Sequence, residues 1–362
     1  MANNITIRQL DNGVYDSLLP RTTASKSYLT NDTSTLYNLQ NGTAEQAIQA
    51  IMRVIALSGN VSMRITDASG NPVVGAVVNG LVGSPISDEN GNVQGIYEYT
   101  PVNIVSPYID LQDKSVDVKN YVGSINVLTV QLDTYAENTV RRYTDSRSVR
   151  FSKMVKTVDV CCVGGGGGGG NLIITSSGGE TYEHVSGGGG GGAIVNSYGK
   201  SINADTNYVL SIGSGGSSGY TGGTGGTTTF LSVSATGGGG AYVYRPDSSS
   251  SPIGKGGSAG APGSGKGGDY GQNGGNSTIS EFDDGVTFYS GGGGSGDRKG
   301  GTPNGANGAY ITGGYPNTSH PHSATTPGIG GGGGGATYDN QITANLPSAG
   351  GPGLVAIRLH FS

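Results

Sequence analysis

Runs of bare glycine dominate the second half of this chain: Gly164 to Gly170, Gly187 to Gly192 and Gly330 to Gly335 are uninterrupted. Only ten of the 71 glycines precede residue 164, so from there to Gly353 about one residue in three is glycine, against an ordinary usage of about 7%. A stretch so poor in Leu, Ile, Val and Phe cannot offset its conformational entropy by burying side chains. An ordinary globular enzyme domain is therefore excluded over the C-terminal half. Either that half is disordered or glycine itself builds the fold.

The spacing favours the second alternative. Glycines recur in threes at 213, 216, 219, 222 and 225, at 254, 257, 260 and 263, and at 265, 268, 271 and 274. Three residues per turn is the period of the polyproline II helix, which has no internal hydrogen bonds. When buried, such a helix must pair its N–H and C=O groups with neighbours, and the absence of a Cβ permits the close approach. Collagen would require proline-rich X and Y positions, whereas the whole chain has 14 prolines. The segment is also bracketed by the alternating apolar phrases VDVCCV and GLVAIRLHF, placed as though first and last strands pair and close a domain. Cys161 and Cys162, as neighbours on a strand, point to opposite faces and read as small buried hydrophobes.

Before the glycine, residues 1–42 read as an extended arm with short polar turns. Thr43 to Gln46 is a capping-box pattern, and Ala44, Ala47, Ile48, Ile51 and Ile55 recur at helical spacing up to Gly59. This predicts one amphipathic helix in need of a partner surface. From Val61 the period falls to two, with turn phrases DASGNP and DENGNV between short strands, which predicts a small β-sandwich over 58–133. Residues 134–156 read as a linker with a short polar helix carrying Glu137 and Arg141 at i, i+4. Its arginines, Arg141, Arg142, Arg147 and Arg150, read as a solvated face. The expected fold is mainly β: an N-terminal arm and helix (1–57), a β-sandwich (58–133), the linker, and a glycine-rich domain of stacked polyglycine II helices closed by short strands (157–362).

Several motifs tempt a catalytic or ligand-binding reading. GAPGSGKGG (260–268) is close to a phosphate loop but lacks a hydroxyl residue after its lysine and a preceding buried strand. His320 and His322 flank a proline in a loop phrase, and a surface loop is favoured over a metal site. The four histidines, His184, His320, His322 and His360, lie in no nucleophile motif. Asp283-Asp284 reads as a turn, not a glycosidase dyad. Neither cofactor nor catalytic set is expected. A net charge of −5 gives no sign of nucleic-acid binding. The start MANNITIRQL has no cationic, apolar leader, and no window approaches about 18 apolar residues, so neither a secretory signal nor membrane insertion is expected.

Recognition chemistry is concentrated between the glycine runs. AYVYRPDSSSS carries Tyr242, Tyr244, Arg245 and Asp247; SGDRKGG carries Arg298; AYITGGYPNTSHPHS carries Tyr310, Tyr315, His320 and His322. Tyrosine offers rigid amphipathic surface at low entropic cost, and tyrosine and arginine dominate interface hot spots. These loops are the candidate receptor-binding site.

Two resemblances complete the reading. The phrase carried by Asp67, Ser69, Gly70, Asn71, Pro72, Val73, Gly75, Ala76 and Val78 resembles prealbumin-like repeats of bacterial surface proteins and the carboxypeptidase regulatory-like domain, which implies a spacer. The order VDVCCVGGGGGGG, NYVLSIG, ATGGGG and GLVAIRL resembles the glycine-rich domain of bacteriophage tail fibres and the polyglycine sandwich of distal tail-fibre adhesins. That resemblance implies a non-enzymatic, homotrimeric receptor-binding protein of a phage or tailocin. It would belong to the virion, be attached to tail or baseplate proteins through its N-terminal region, and recognise a bacterial surface receptor, glycan or protein. A bacterial surface adhesin or a depolymerase spike are the alternatives.

Overall fold

The computed structural model describes residues 8–11, 14–17, 59–99, 101–175, 182–244, 253–267, 269, 274–293, 328–335 and 347–361. The helix expected over 43–57 lies outside these residues. The chain is mainly β, and it divides into two compact units, one ending at Asp133 and one comprising Tyr108–Leu111 and Thr134–Ser362.

In the first unit, period-two alternation produces two three-stranded sheets. One places Asn60–Thr66 between Asn92–Ile96 and Leu128–Gln131; the other places Val102–Val105 between Val77–Asn79 and Lys114–Val116. Val61, Met63 and Ile65 are buried from one sheet and Val78, Val102 and Ile104 from the other. The two D-x-x-G-N phrases fold alike. Asp67 Oδ1 accepts from the N–H of Ser69 and Asn71, and Asp88 Oδ1 from the N–H of Asn90 and Asn92. In each, a glycine at positive φ, Gly70 (81°) or Gly91 (75°), closes the turn.

In the second unit, four strands form one antiparallel sheet in the order Ile194–Ser201, Thr157–Val163, Leu354–His360, Val140–Tyr143. The bracketing phrases pair as expected, from Thr157↔His360 to Val163↔Leu354. The sheet is buried on both faces. Val158, Val160 and Cys162 join Phe151, Leu210 and Phe230 on one side, and Cys161 and Val163 join Phe282 and Tyr289 on the other. The adjacent cysteines thus face opposite ways. Burial, partly offset by the Phe230 backbone, pushes the Cys162 thiol up to about 12, and burial raises Cys161 further still, so neither is a nucleophile at neutral pH.

The helix expected near 137–141 is not formed. Val140–Tyr143 is instead the sheet's outer strand, and Arg147–Val149 pairs with Tyr208–Leu210. Tertiary pairing overrides the i, i+4 pattern here: Glu137 bonds His360 at 3.0 Å, and Arg141 lies 4.5 Å over the Tyr135 ring. The arginines are partly solvated, Arg142 and Arg147 keeping 47% and 49% of their side chains in water, and each is also engaged by a neighbour. Arg147 and Arg150 pack over Tyr143 and Tyr108, and Arg142 forks onto Glu281 at 2.7 and 3.0 Å.

Three strands of this sheet continue directly into glycine. Residues 164–169 form a rod that is wholly buried although it has no side chain. Its N–H groups point in three directions in turn: Gly164 and Gly167 to the carbonyls of Ala193 and Gly190, Gly165 and Gly168 to Gly226 and Gly223, Gly166 and Gly169 to Gly351 and Ser348, all at 2.8–3.0 Å. In the three intervening directions a Cβ would lie 1.9–2.1 Å from the carbonyl oxygens of Thr236 and Gly239, Ser214 and Ser217, or Gly331 and Gly334. Six backbone neighbours therefore enclose the rod, and only glycine fits. Rod 189–192 is enclosed in the same way, donating to Gly333, Gly239, Gly265 and Gly330. Where one direction faces water, the sequence supplies a hydroxyl residue: Thr221, Thr224 and Thr227 are all exposed, three residues apart, while the glycines between them are not.

Candidate functional site

The rods give the second unit two ends. Rods 164–169 and 213–219 run away from the sheet, and 222–226 returns, because Gly168 bonds Gly223 whereas Gly165 bonds Gly226. Rod 237–241 runs out and 257–260 returns, with Gly257 donating to Gly188 and Gly260 to Gly191. The far end therefore holds the turn 219–222, the hairpin Gly170–Thr175/Tyr182–Gly187, and the hairpin Tyr242–Tyr244/Ile253–Lys255. Gly293, next to Gly189, and Gly335, next to Gly187, lie at the same end.

Of the sequence-predicted residues, Tyr242 and Tyr244 lie on the far-end hairpin. Tyr242 is 47% exposed and in register with Lys255. Arg245, Asp247, Arg298, Tyr310, Tyr315 and His320, with His322, lie outside the described residues. The sequence reading missed Tyr220, which is 63% exposed in the turn joining two rods. Gly222 N–H donates to Ala241 O at 2.8 Å, so the rod ends bearing Tyr220 and Tyr242 are neighbours. The available signal was its position, a lone aromatic where the glycine thirds reverse.

Beside Tyr242 is a charged cluster that sequence reading also missed. Asp269 accepts from Gly256 N–H at 2.8 Å and from Lys255 Nζ at 3.2 Å, and Lys266 Nζ stands 3.5 Å away. Burial raises the Asp269 pKa, but the Gly256 bond and the two ammonium groups outweigh it and hold the carboxyl below its ordinary value.

A second polar cluster, at the sheet end, is structural. Asp159 accepts from Gly199 N–H, His360 Nε2 and Arg358, while Glu137 accepts from His360 Nδ1 and Phe361 N–H. These bonds tie the last strand to the residues on either side of it. Asp284 Oδ1 caps the N–H of Val286 and Thr287, the expected turn. The phosphate-loop lookalike is lattice: a Cβ on Gly265 would meet Gly275 O at 1.8 Å, and Lys266 O accepts from Gly275 N–H. Among the described residues no group of three or more His, Cys, Asp or Glu is placed to hold a metal ion.

The His360 cluster makes stability pH-dependent. Burial lowers the imidazole pKa, but the bonds to Asp159 and Glu137 outweigh it and raise it above 6.5. A raised folded value means that the stabilisation is complete below 6.5 and fades as pH rises through the folded pKa. Melting temperature is therefore expected to fall between pH 6 and pH 8.5 in the native chain and to fall less in His360→Gln.

These features define a class of protein: a side-chain-free polyglycine lattice, closed at one end by a sheet and carrying aromatic turns and hairpins at the other. The glycine-rich domain family matches residues 143–360, more than half of the chain, and the chain belongs to it. No curated protein matches the chain. No helix among the described residues is long and apolar enough to cross a membrane.

Proposed function

We propose that this chain is a receptor-binding protein of the phage or tailocin tail-fibre type, an adhesin that recognises a bacterial surface receptor through the far end of its polyglycine domain. The observation that carries this reading is the polarity of the lattice. Rods packed backbone to backbone give a stiff scaffold, and Tyr220 and Tyr242 emerge at the end opposite the closing sheet, where Tyr244 belongs to the same hairpin strand as Tyr242. Rigid scaffolds presenting mobile or variable loops are the usual arrangement for recognition. On this reading the prealbumin-like first unit is a spacer, residues 1–57 attach to tail or baseplate proteins, the assembly is a homotrimer in the virion, and no chemistry is performed.

The test is cell binding by the full chain across a panel of bacterial strains. Replacing Tyr242, Tyr244 and Arg245 together by alanine should lower binding at least tenfold, while Val209→Ser, exposed at the sheet end, should leave it unchanged. A triple variant that binds like the native chain, or a native chain that binds no strain, overturns the proposal.

A further inference from the structure

The far end combines exposed tyrosines with a lysine pair that shares one carboxylate. Tyr242 and Lys255 are directly cross-strand, a separation at which side chains meet. Lys255 and Lys266 share the single carboxylate of Asp269, so the three groups together carry one net positive charge. Lys266 keeps 61% of its side chain in water. This local excess, on a chain whose overall charge is −5, makes the lysine pair a place for an anion, although Glu183 stands on the neighbouring hairpin. On the two rods joined by the Tyr220 turn, whose end neighbours that of Tyr242, Ser217, Ser218, Thr221 and Thr224 are all exposed.

From this juxtaposition we infer that the ligand is a glycan bearing an anionic substituent, a carboxylate or a phosphate. The inference rests on the receptor-binding reading and narrows its ligand. The tyrosine faces stack on the C–H face of a sugar ring, the serine and threonine hydroxyls exchange hydrogen bonds with its hydroxyls, and the Lys255–Lys266 pair takes the anion. Asp269 accepts from Lys255 Nζ at 3.2 Å and keeps the more solvated Lys266 Nζ within 3.5 Å, which lowers part of the ordering cost before the ligand arrives.

The experiment is calorimetric titration of the full chain with three oligosaccharide sets matched in size: one containing uronic acid, one phosphorylated, one neutral. At least one acidic set should bind about tenfold or more tightly than the neutral set, and that preference should shrink in high salt. Lys255→Gln with Lys266→Gln should abolish the preference, Tyr242→Ala should weaken binding about three- to tenfold, and Tyr242→Phe should retain it. An unchanged melting temperature in each variant separates lost contacts from lost fold. Equal binding of acidic and neutral sugars, or lysine variants that bind like the native chain, overturns the inference. If the chain binds cells through the far end in the preceding assay but binds none of the sugars, the receptor-binding reading survives and the glycan assignment falls.

Discussion

Gly167→Ala is expected to cost the glycine-rich unit more than about 4 kcal/mol, whereas Gly219→Ala should be nearly neutral. The added Cβ at residue 167 would sit 2.0 Å from Gly239 O and 2.4 Å from its carbonyl carbon. Neither atom belongs to a side chain that can rotate away. A methylene forced into an ordinary core costs about 1–3 kcal/mol because neighbours yield. Here a whole rod must move by more than an ångström, breaking the bonds it makes to rods 164–169 and 189–192. At residue 219 the nearest atom to a Cβ is Thr221 O at 3.6 Å, an ordinary contact, and loss of unfolded-state freedom even favours alanine. In a unit of this size, 4 kcal/mol corresponds to a drop of about 8–16 °C in melting temperature. Thermal unfolding followed by circular dichroism reads both variants, and similar melting temperatures would contradict the enclosed-rod geometry.

Arg142→Ala is expected to be strongly damaging although its side chain is half exposed. Glu281 is 2% exposed and receives both forks of Arg142 together with the Tyr289 hydroxyl at 2.5 Å. Removing the guanidinium leaves a buried carboxylate without its counter-charge. Such losses cost about 3–5 kcal/mol when both partners are dry. Arg142 keeps 47% of its side chain in water, which lowers the expectation to about 2–4 kcal/mol. Adding Glu281→Gln to that background should recover part of the loss, because the amide is neutral and its oxygen still accepts from Tyr289. The double variant should therefore be more stable than Arg142→Ala alone by chemical denaturation; an additive loss would show that the pair is not coupled.

Much of the architecture is legible in the chain because glycine periodicity has so few physical explanations. The period of three at Gly213–Gly225 and the pairing of VDVCCV with GLVAIRLHF both follow from where backbone groups must go. What misled was local pattern. Glu137 and Arg141 have helical spacing, but Val140 and Tyr143 are held by pairing with a strand more than 200 residues away, which no local spacing reveals. Tyr242 and Tyr244 are readable as candidates since they stand in a tyrosine-rich phrase. Tyr220 is hidden among glycine thirds, and its importance comes from the reversal of direction between rods. In the Lys255–Asp269–Lys266 cluster only the Lys266–Asp269 spacing is local, and the approach of Lys255 depends on two segments being neighbours. The burial of Glu281 is also non-local, for its partner Arg142 is 139 residues away.

The central claim is that backbone, not side chains, forms the core of the glycine-rod lattice that adjoins the sheet of the second unit. Amide hydrogen exchange of the native full chain tests it directly. If the six-neighbour enclosure holds, the N–H groups of Gly164 to Gly169 and Gly189 to Gly192 will be among the slowest in the molecule, comparable with those of Thr157–Val163, since exchange then requires global opening. Exchange of these glycines at the rate of an unstructured chain, with protection confined to the strands, would contradict it.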